Sequence, residues 1–254
     1  MNFVTIQDRR IEYEFIHAAT ADAPTIVFLH EGLGSVAMWR DFPSHVAHAT
    51  GCNALVYSRY GYGQSDPLTE PRRVDLMHEE ALKALPELLD KLGVKKPILL
   101  GHSDGGSIAL IYAGGSGRPV AGVVVMAPHV MVEDISISSI QMAKQTYQTT
   151  DLRDKLARYH ANPDLAFWGW NDIWLNPEFR NWNIEEFLPR ITCPVLGIQG
   201  EDDEYGTMEQ IDRIGRLAPD VDLVKLRDCR HSPHRDQPQA VIEAVVHFVD
   251  RIRE

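Results

Sequence analysis

The chain has 254 residues, 44% of them hydrophobic and 24% charged, with a formal net charge of −11. That length and apolar share allow a sizeable core in one large domain or two small ones, and the acidic balance excludes a nucleic-acid partner, which needs clustered basic residues against phosphate. No apolar run approaches the roughly 20 residues of a membrane span, and MNFVTIQDRR at the N-terminus has no basic start followed by an apolar stretch, so neither a membrane nor secretion is expected.

Taken in chain order, IEYEFIH (11–17) alternates partly like a strand, and TIVFLH (25–30) reads as a buried strand ending in a polar loop. ALVYSR (54–59), PILLGH (97–102), VAGVVVMAP (120–128), PVLGIQG (194–200) and VDLVKL (221–226) continue the series. Short Val/Ile/Leu runs of this kind suit parallel strands covered on both faces. Helix-like segments lie between them at 73–93 and 107–115, with another at 239–254. The alternation predicts one doubly wound α/β domain. Residues 129–190 break the rhythm: no clear strand, several helix-like stretches, and the aromatic cluster FWGWNDIWLNPEFRNWN at 167–183. They are expected to form a helical cap over the C-terminal edge of the sheet, inserted in a core of 1–128 and 191–254. Cys52, Cys193 and Cys229 are widely spaced with no CxxC, which suits reduced thiols in a cytoplasmic protein. Composition sets no oligomeric state.

Ser103 stands at the middle of Gly101-His102-Ser103-Asp104-Gly105, after an expected strand and before an expected helix. Gly-x-Ser-x-Gly in that setting is a nucleophile elbow, a sharp turn that points the hydroxyl outward. Glycine at both ends lets backbone segments approach where a Cβ would clash. A serine hydroxyl needs a base, and the base needs an acid to orient it. Glu201, Asp202, Asp203 and Glu204 follow one late strand, and His231 follows the last.

With these parts in the order Ser, acid, His, the chain resembles the serine branch of the α/β-hydrolase superfamily over essentially its whole length. The resemblance implies a mostly parallel central sheet flanked by helices. The family's G-x-x-D matches Gly200 to Asp203, which makes Asp203 the acid. Its G-H-x-P matches Arg230-His231-Ser232-Pro233, with arginine in place of glycine, and makes His231 the base over its neighbour His234. The family's oxyanion loop corresponds to His30-Glu31-Gly32-Leu33-Gly34, so the amides of Gly32 and Asp104 are the expected oxyanion donors. Glu31 replaces the family's glycine; it either points away from the oxyanion or binds a substrate cation. His30, ending a buried strand, is expected to fix the loop by hydrogen bonding. SRYGYGQS (58–65) resembles the family's D-x-x-G-x-G-x-S turn, with Ser58 for aspartate.

Serine at the elbow sets aside dehalogenases and epoxide hydrolases, which carry aspartate there. GHSDGG and RHSP differ from the G-N-S-M-G-G and G-H-W of C–C hydrolases, and the proline-iminopeptidase-like enzymes differ at the elbow. The expected activity is hydrolysis of a small ester or thioester with an apolar or aromatic acyl part. A C–C hydrolase of the aromatic-degradation type, or a slow-turnover receptor, stands as the alternative. Phe167, Trp168, Trp170, Trp174 and Trp182 are candidates to line the substrate pocket, as ligand sites are mostly apolar. No histidine and acid set has metal-ligand spacing, and no glycine-rich nucleotide loop occurs, so neither a metal nor a cofactor is expected.

Overall fold

A computed structural model of the chain describes residues 1–253 and contains one sheet of eight strands. These are β1 (Asn2–Ile6), β2 (Arg9–Ile16), β3 (Thr25–Leu29), β4 (Asn53–Tyr57), β5 (Ile98–His102), β6 (Gly122–Met126), β7 (Val195–Gly200) and β8 (Val221–Leu226). Their order across the sheet is β1-β2-β4-β3-β5-β6-β7-β8. Only β1 on β2 and β2 on β4 pair antiparallel; every later pairing is parallel. Side-chain alternation splits the central strands between two cores. Val27 and Leu29 of β3 enter one core, Ile26 and Phe28 the other, and Val123 and Val125 of β6 are likewise divided from Val124 and Met126. Sheets buried on both faces are why these strands carry continuous rather than alternating apolar runs.

The covering helices are α1 (Phe42–Thr50), α2 (Leu76–Glu79), α3 (Leu85–Lys91) and α4 (Asp104–Gly115). Then come α5 (Asp134–Thr149), α6 (Leu152–Leu156) and α7 (Pro163–Trp174), followed by α8 (Glu209–Leu217), α9 (Pro233–Asp236) and α10 (Pro238–Arg253). The stretch expected to be one helix over 73–93 is broken: α2 and α3 are joined by a wider π turn, Glu80–Ala84. Pro86, which has no N–H to return to the preceding turn, follows that break. The helix expected at 107–115 begins at Asp104, directly after the serine. Strand β1 and helices α1 and α8 have no counterpart among the sequence expectations. The edge strands β1 and β8 are only partly buried, which corrects the reading of VDLVKL as covered on both faces.

Between β6 and β7 the chain is helical: α5, α6, α7 and the 3-10 turns Pro177–Asn181 and Glu185–Arg190. Helix α7 starts where Asn162 accepts a hydrogen bond from Leu165 N–H at 3.1 Å, with Pro163 following. An isolated bridge between Met131 and Asn183 ties the two ends of this segment together. No described helix is long and apolar enough to cross a membrane.

Phe248 of α10 is 3% exposed and lies against the sheet at Gly122, where a Cβ would come within 2.8 Å of its ring. Phe248→Ala should lower unfolding free energy by about 3–5 kcal/mol. Arg251→Ala, which removes only exposed ion pairs to Asp220 and Asp222, should cost far less. Urea denaturation of the two variants checks the contrast.

Candidate active site

Ser103 sits between the end of β5 and the start of α4 at φ 52° and ψ −119°. A positive φ is costly for a residue with a side chain, so the surroundings must enforce it. The Ser103 N–H donates to Met126 O at 2.9 Å, and Ser103 O accepts from Gly106 N–H at 2.8 Å. A Cβ on Gly101 would lie 2.2 Å from Gly105 O, and one on Gly105 would lie 2.0 Å from Leu29 O. Backbone therefore touches backbone on both sides of the serine.

The hydroxyl of Ser103 is 3.0 Å from His231 Nε2, and His231 Nδ1 is 2.8 Å from Asp203 Oδ1. With an ionised carboxylate at Nδ1, that nitrogen carries the proton and Nε2 is left to accept from the serine. Asp203 also accepts from Tyr205 N–H at 2.8 Å, Gly206 N–H at 3.3 Å and Gln199 Nε2 at 3.2 Å. Burial alone would push this carboxyl up; the His231 hydrogen bond and charge, with Tyr205 N–H, outweigh it and hold Asp203 below its ordinary range. The backbone of His231 is fixed as well. Its N–H donates to Glu204 Oε2 at 3.2 Å and its carbonyl accepts from His102 Nε2 at 2.7 Å. Glu201 and Asp202 are exposed on the same loop. His234 is buried between Trp39 and Phe42, its ring nitrogens without partners among the described residues.

Among the described residues, neither the Gly32 nor the Asp104 amide has a hydrogen-bond acceptor. Helix α7 covers both residues. A Cβ on Gly32 would lie 2.1 Å from Trp170 Nε1, so only glycine fits beneath that indole. Trp174 Nε1 donates to Asp104 Oδ1 at 3.2 Å, while Asp104 Oδ2 is buried without a partner. Burial raises the Asp104 carboxyl against the pull of Arg59. Trp170 and Trp174 are thus brought to the site. Trp168 is not: its ring meets Tyr147 and Phe167 and lines an outer groove beside Leu68 and Leu165. Trp182 stacks on Phe179 and lines another groove beside Val74 and His78. Glu31 turns its carboxylate to protein partners, with Oε1 3.4 Å from Arg235 Nη2 and Oε2 3.5 Å from His102 Nδ1. His30 Nε2 accepts from Arg59 N–H at 3.0 Å, which leaves Nδ1–H to donate to Glu31 O at 2.7 Å.

Several residues that shape the site were not singled out from the sequence. Gln199, a polar residue inside an apolar strand, was the most legible of them. Tyr205 lies with its ring centroid 4.7 Å from that of His231. Arg59 bonds the carbonyls of His30 and Glu31, bracing the loop that carries Gly32. His129 lies with its ring centroid 4.9 Å from Trp174 and 5.9 Å from His231. Burial, reinforced by His231, pushes it down to about 3. It therefore stays neutral beside the His231 imidazole. No group of three or more described His, Cys, Asp or Glu side chains is arranged to hold a metal ion.

A model of the Alpha/beta hydrolase family matches residues 26–244. Among curated proteins, the chain is similar to a 2-hydroxy-6-oxononadienedioate/2-hydroxy-6-oxononatrienedioate hydrolase of Cupriavidus pinatubonensis, 25% identical over 97% of this chain and 94% of that protein. It is also similar to the sn-1-specific diacylglycerol lipase ABHD11 of Danio rerio, 24% identical over 90% of this chain and 79% of the lipase. Among solved structures, a carboxylesterase of Nitrososphaera gargenis superposes with a TM-score of 0.79 at 17% identity, covering 99% of both chains. That last likeness is one of fold.

The buried, neutral His129 makes stability depend on pH. Its folded value lies below the ordinary histidine value of 6.5, so the unfolded chain binds the proton more readily. Stability is then lost as pH falls from about 6.5 toward 3, by up to about 1.4 kcal/mol per pH unit for this one group. Thermal melts across that range should show a shallower acid slope for His129→Asn than for the parent protein.

Proposed function

Since the chain belongs to the alpha/beta hydrolase family, we propose that it is a serine hydrolase of small carboxylic esters or thioesters with an apolar or aromatic acyl part. The observation that carries this reading is the unbroken hydrogen-bond chain from Ser103 through His231 to Asp203. Ser103 Oγ attacks the substrate carbonyl carbon as its proton passes to His231 Nε2. The carbonyl oxygen becomes an oxyanion, for which the free amides of Gly32 and Asp104 are the donors. His231 then gives its proton to the leaving oxygen or sulfur, and the acyl group stays on Ser103. A water, deprotonated by His231, releases the acid and restores the serine. Asp203 remains ionised throughout and steadies the imidazolium that forms twice per turnover. Neutral His129 spares that imidazolium a second positive ring beside it.

The segment 129–190 is the cap in this reading, and Trp170 and Trp174 on α7 give it a share in substrate choice, since both touch residues of the oxyanion loop or elbow. The three unpaired thiols support a cytoplasmic location. The Cupriavidus relative favours a second reading, a C–C bond hydrolase using the same serine. Preference for a 2-hydroxy-6-oxo-dienoate over p-nitrophenyl esters would select it.

Ser103→Ala should abolish labelling by a fluorophosphonate and lower kcat by roughly three orders of magnitude or more. Asp203→Asn should cost far more than Asp202→Asn. Unchanged turnover of a good p-nitrophenyl ester by Ser103→Ala would refute the assignment, and labelling of the parent without turnover would mark a receptor. In a series of acyl chain lengths, Trp170→Ala and Trp174→Ala should shift the preferred chain by about 1–3 kcal/mol per methylene. Losses uniform across the series, in step with melting temperature, would reduce both rings to packing.

A further inference from the structure

His160 lies in the turn between α6 and α7, only 3% exposed, yet both of its ring nitrogens bond to backbone outside that turn. Its Nδ1 accepts from Gly63 N–H at 3.0 Å, and its Nε2 is 2.9 Å from Leu33 O. An amide N–H can only donate and a carbonyl can only accept, so the ring is neutral with its proton on Nε2. Burial lowers His160 from its ordinary value against the opposing pull of Leu33 O, Glu31 and Glu12, which supports the neutral form. Its anchor is rigid. Gly63 has φ +56°, a Cβ there would lie 2.2 Å from Ser58 Oγ, and the next N–H, of Gln64, donates to Glu12 Oε2 at 2.8 Å. Ala161 N–H adds a second bond to the same glycine, reaching Gly63 O at 2.8 Å.

The partner at Nε2 gives this histidine more than a structural tie. Leu33 follows Gly32, whose N–H is an oxyanion donor of the proposed mechanism. The carbonyl of Leu33 and the N–H of Gly34 are the two ends of one planar trans peptide unit. The carbonyl of Glu31 and the N–H of Gly32 are the two ends of another. The units are joined, because Gly34 N–H donates to Glu31 O at 3.1 Å. His160 therefore holds the first unit by its oxygen, the first holds the second by its N–H, and the second points the Gly32 amide the opposite way. The base of this turn is fixed from the sheet side, where Glu31 O also accepts from His30 Nδ1–H at 2.7 Å and Arg59 Nη2 at 3.0 Å. His160 fixes its tip.

We propose that His160 is a positioning residue for the oxyanion donor, orienting the Gly32 amide through the two peptide units that lie between them. The same turn leads into α7, where Asn162 caps the helix and Trp170 lies over Gly32. One segment thus closes over Gly32 and also sets the direction of its N–H. Direction matters because donors stabilise an oxyanion most when they are aimed before the charge develops. The effect on catalysis rests on the serine hydrolase reading; the hydrogen-bond relay does not.

His160→Asn and His160→Gln separate the two bonds of the ring. Asparagine keeps an acceptor toward Gly63 and is too short to reach Leu33, whereas glutamine places an amide N–H near the position of Nε2. Hydrogen exchange followed by NMR reads the relay without any substrate: Gly34 N–H should exchange faster in His160→Asn than in the parent, and His160→Gln should restore part of its protection. Kinetics on a p-nitrophenyl ester read the consequence. In His160→Asn, kcat should fall at least about tenfold while KM stays within about twofold. Affinity for phenylboronic acid, which forms a tetrahedral anionic adduct on a serine, should fall by the same factor as kcat, and His160→Gln should recover part of both. Melts of each variant establish that it is folded. Unchanged Gly34 exchange in a folded His160→Asn protein, full kcat with full boronate affinity, or a loss carried by KM alone would each overturn the proposal. A parent protein that turns over no ester and binds no boronate would remove the hydrolase reading, while faster Gly34 exchange in His160→Asn would leave the relay standing.

Discussion

Everything at this site depends on how closely two backbones approach beneath the serine. Gly105 sits against the carbonyl of Leu29 at a separation no Cβ would tolerate, and Gly101 sits against Gly105 in the same way. That contact brings α4 down onto the end of β3 and forces the chain to reverse within one residue. Ser103 is that residue, and its positive φ is the cost. The parallel pairing of β5 with β3 and β6 supplies the restraint on either side, including the bond from Ser103 N–H to Met126 O. The hydroxyl is left at the mouth of the sheet, where the loops after β7 and β8 deliver Asp203 and His231.

The imidazoles around the serine differ in their surroundings. His129 and His234 are buried and pushed toward neutrality, and His30 is likewise held neutral by burial. His231 alone combines a carboxylate on one nitrogen with the serine on the other. Helix α7 takes part in this arrangement. Trp170 and Trp174 are one helical turn apart on α7, so they present a single face to Gly32 and Asp104, whereas Trp168 faces the opposite way.

This contrast marks the boundary of what the sequence could reveal. Ser103, Asp203 and His231 were legible because each follows a short apolar strand, and a parallel sheet brings strand ends to one edge. The core strands were legible for the same reason. Strand β1 was not, since only Ile6 of its five residues is buried. Helix α1 hid behind Pro43 and its histidines, and α8 behind a short amphipathic stretch containing Gly215. The tryptophans of 167–183 were visible as a cluster, yet a count of aromatics carries no direction; the i, i+4 spacing of 170 and 174 was the only clue to a shared face. Arg59 sat unremarked in a loop read as structural, because its role comes from carbonyls distant in sequence.

The Met131–Asn183 bridge has a further consequence. Ile184 N–H also reaches Val130 O at 2.8 Å, so the helical segment between β6 and β7 begins and ends at adjacent residues. A segment whose two ends meet imposes little strain on its host, since loop-closure entropy grows only with the logarithm of length. Strands β6 and β7, which flank this segment in sequence, are also neighbours in the sheet, so its helices are carried at a single seam. Changes within that segment thereby fall on the residues that cover Gly32 and Asp104, while Ser103, Asp203 and His231 stay where the sheet puts them.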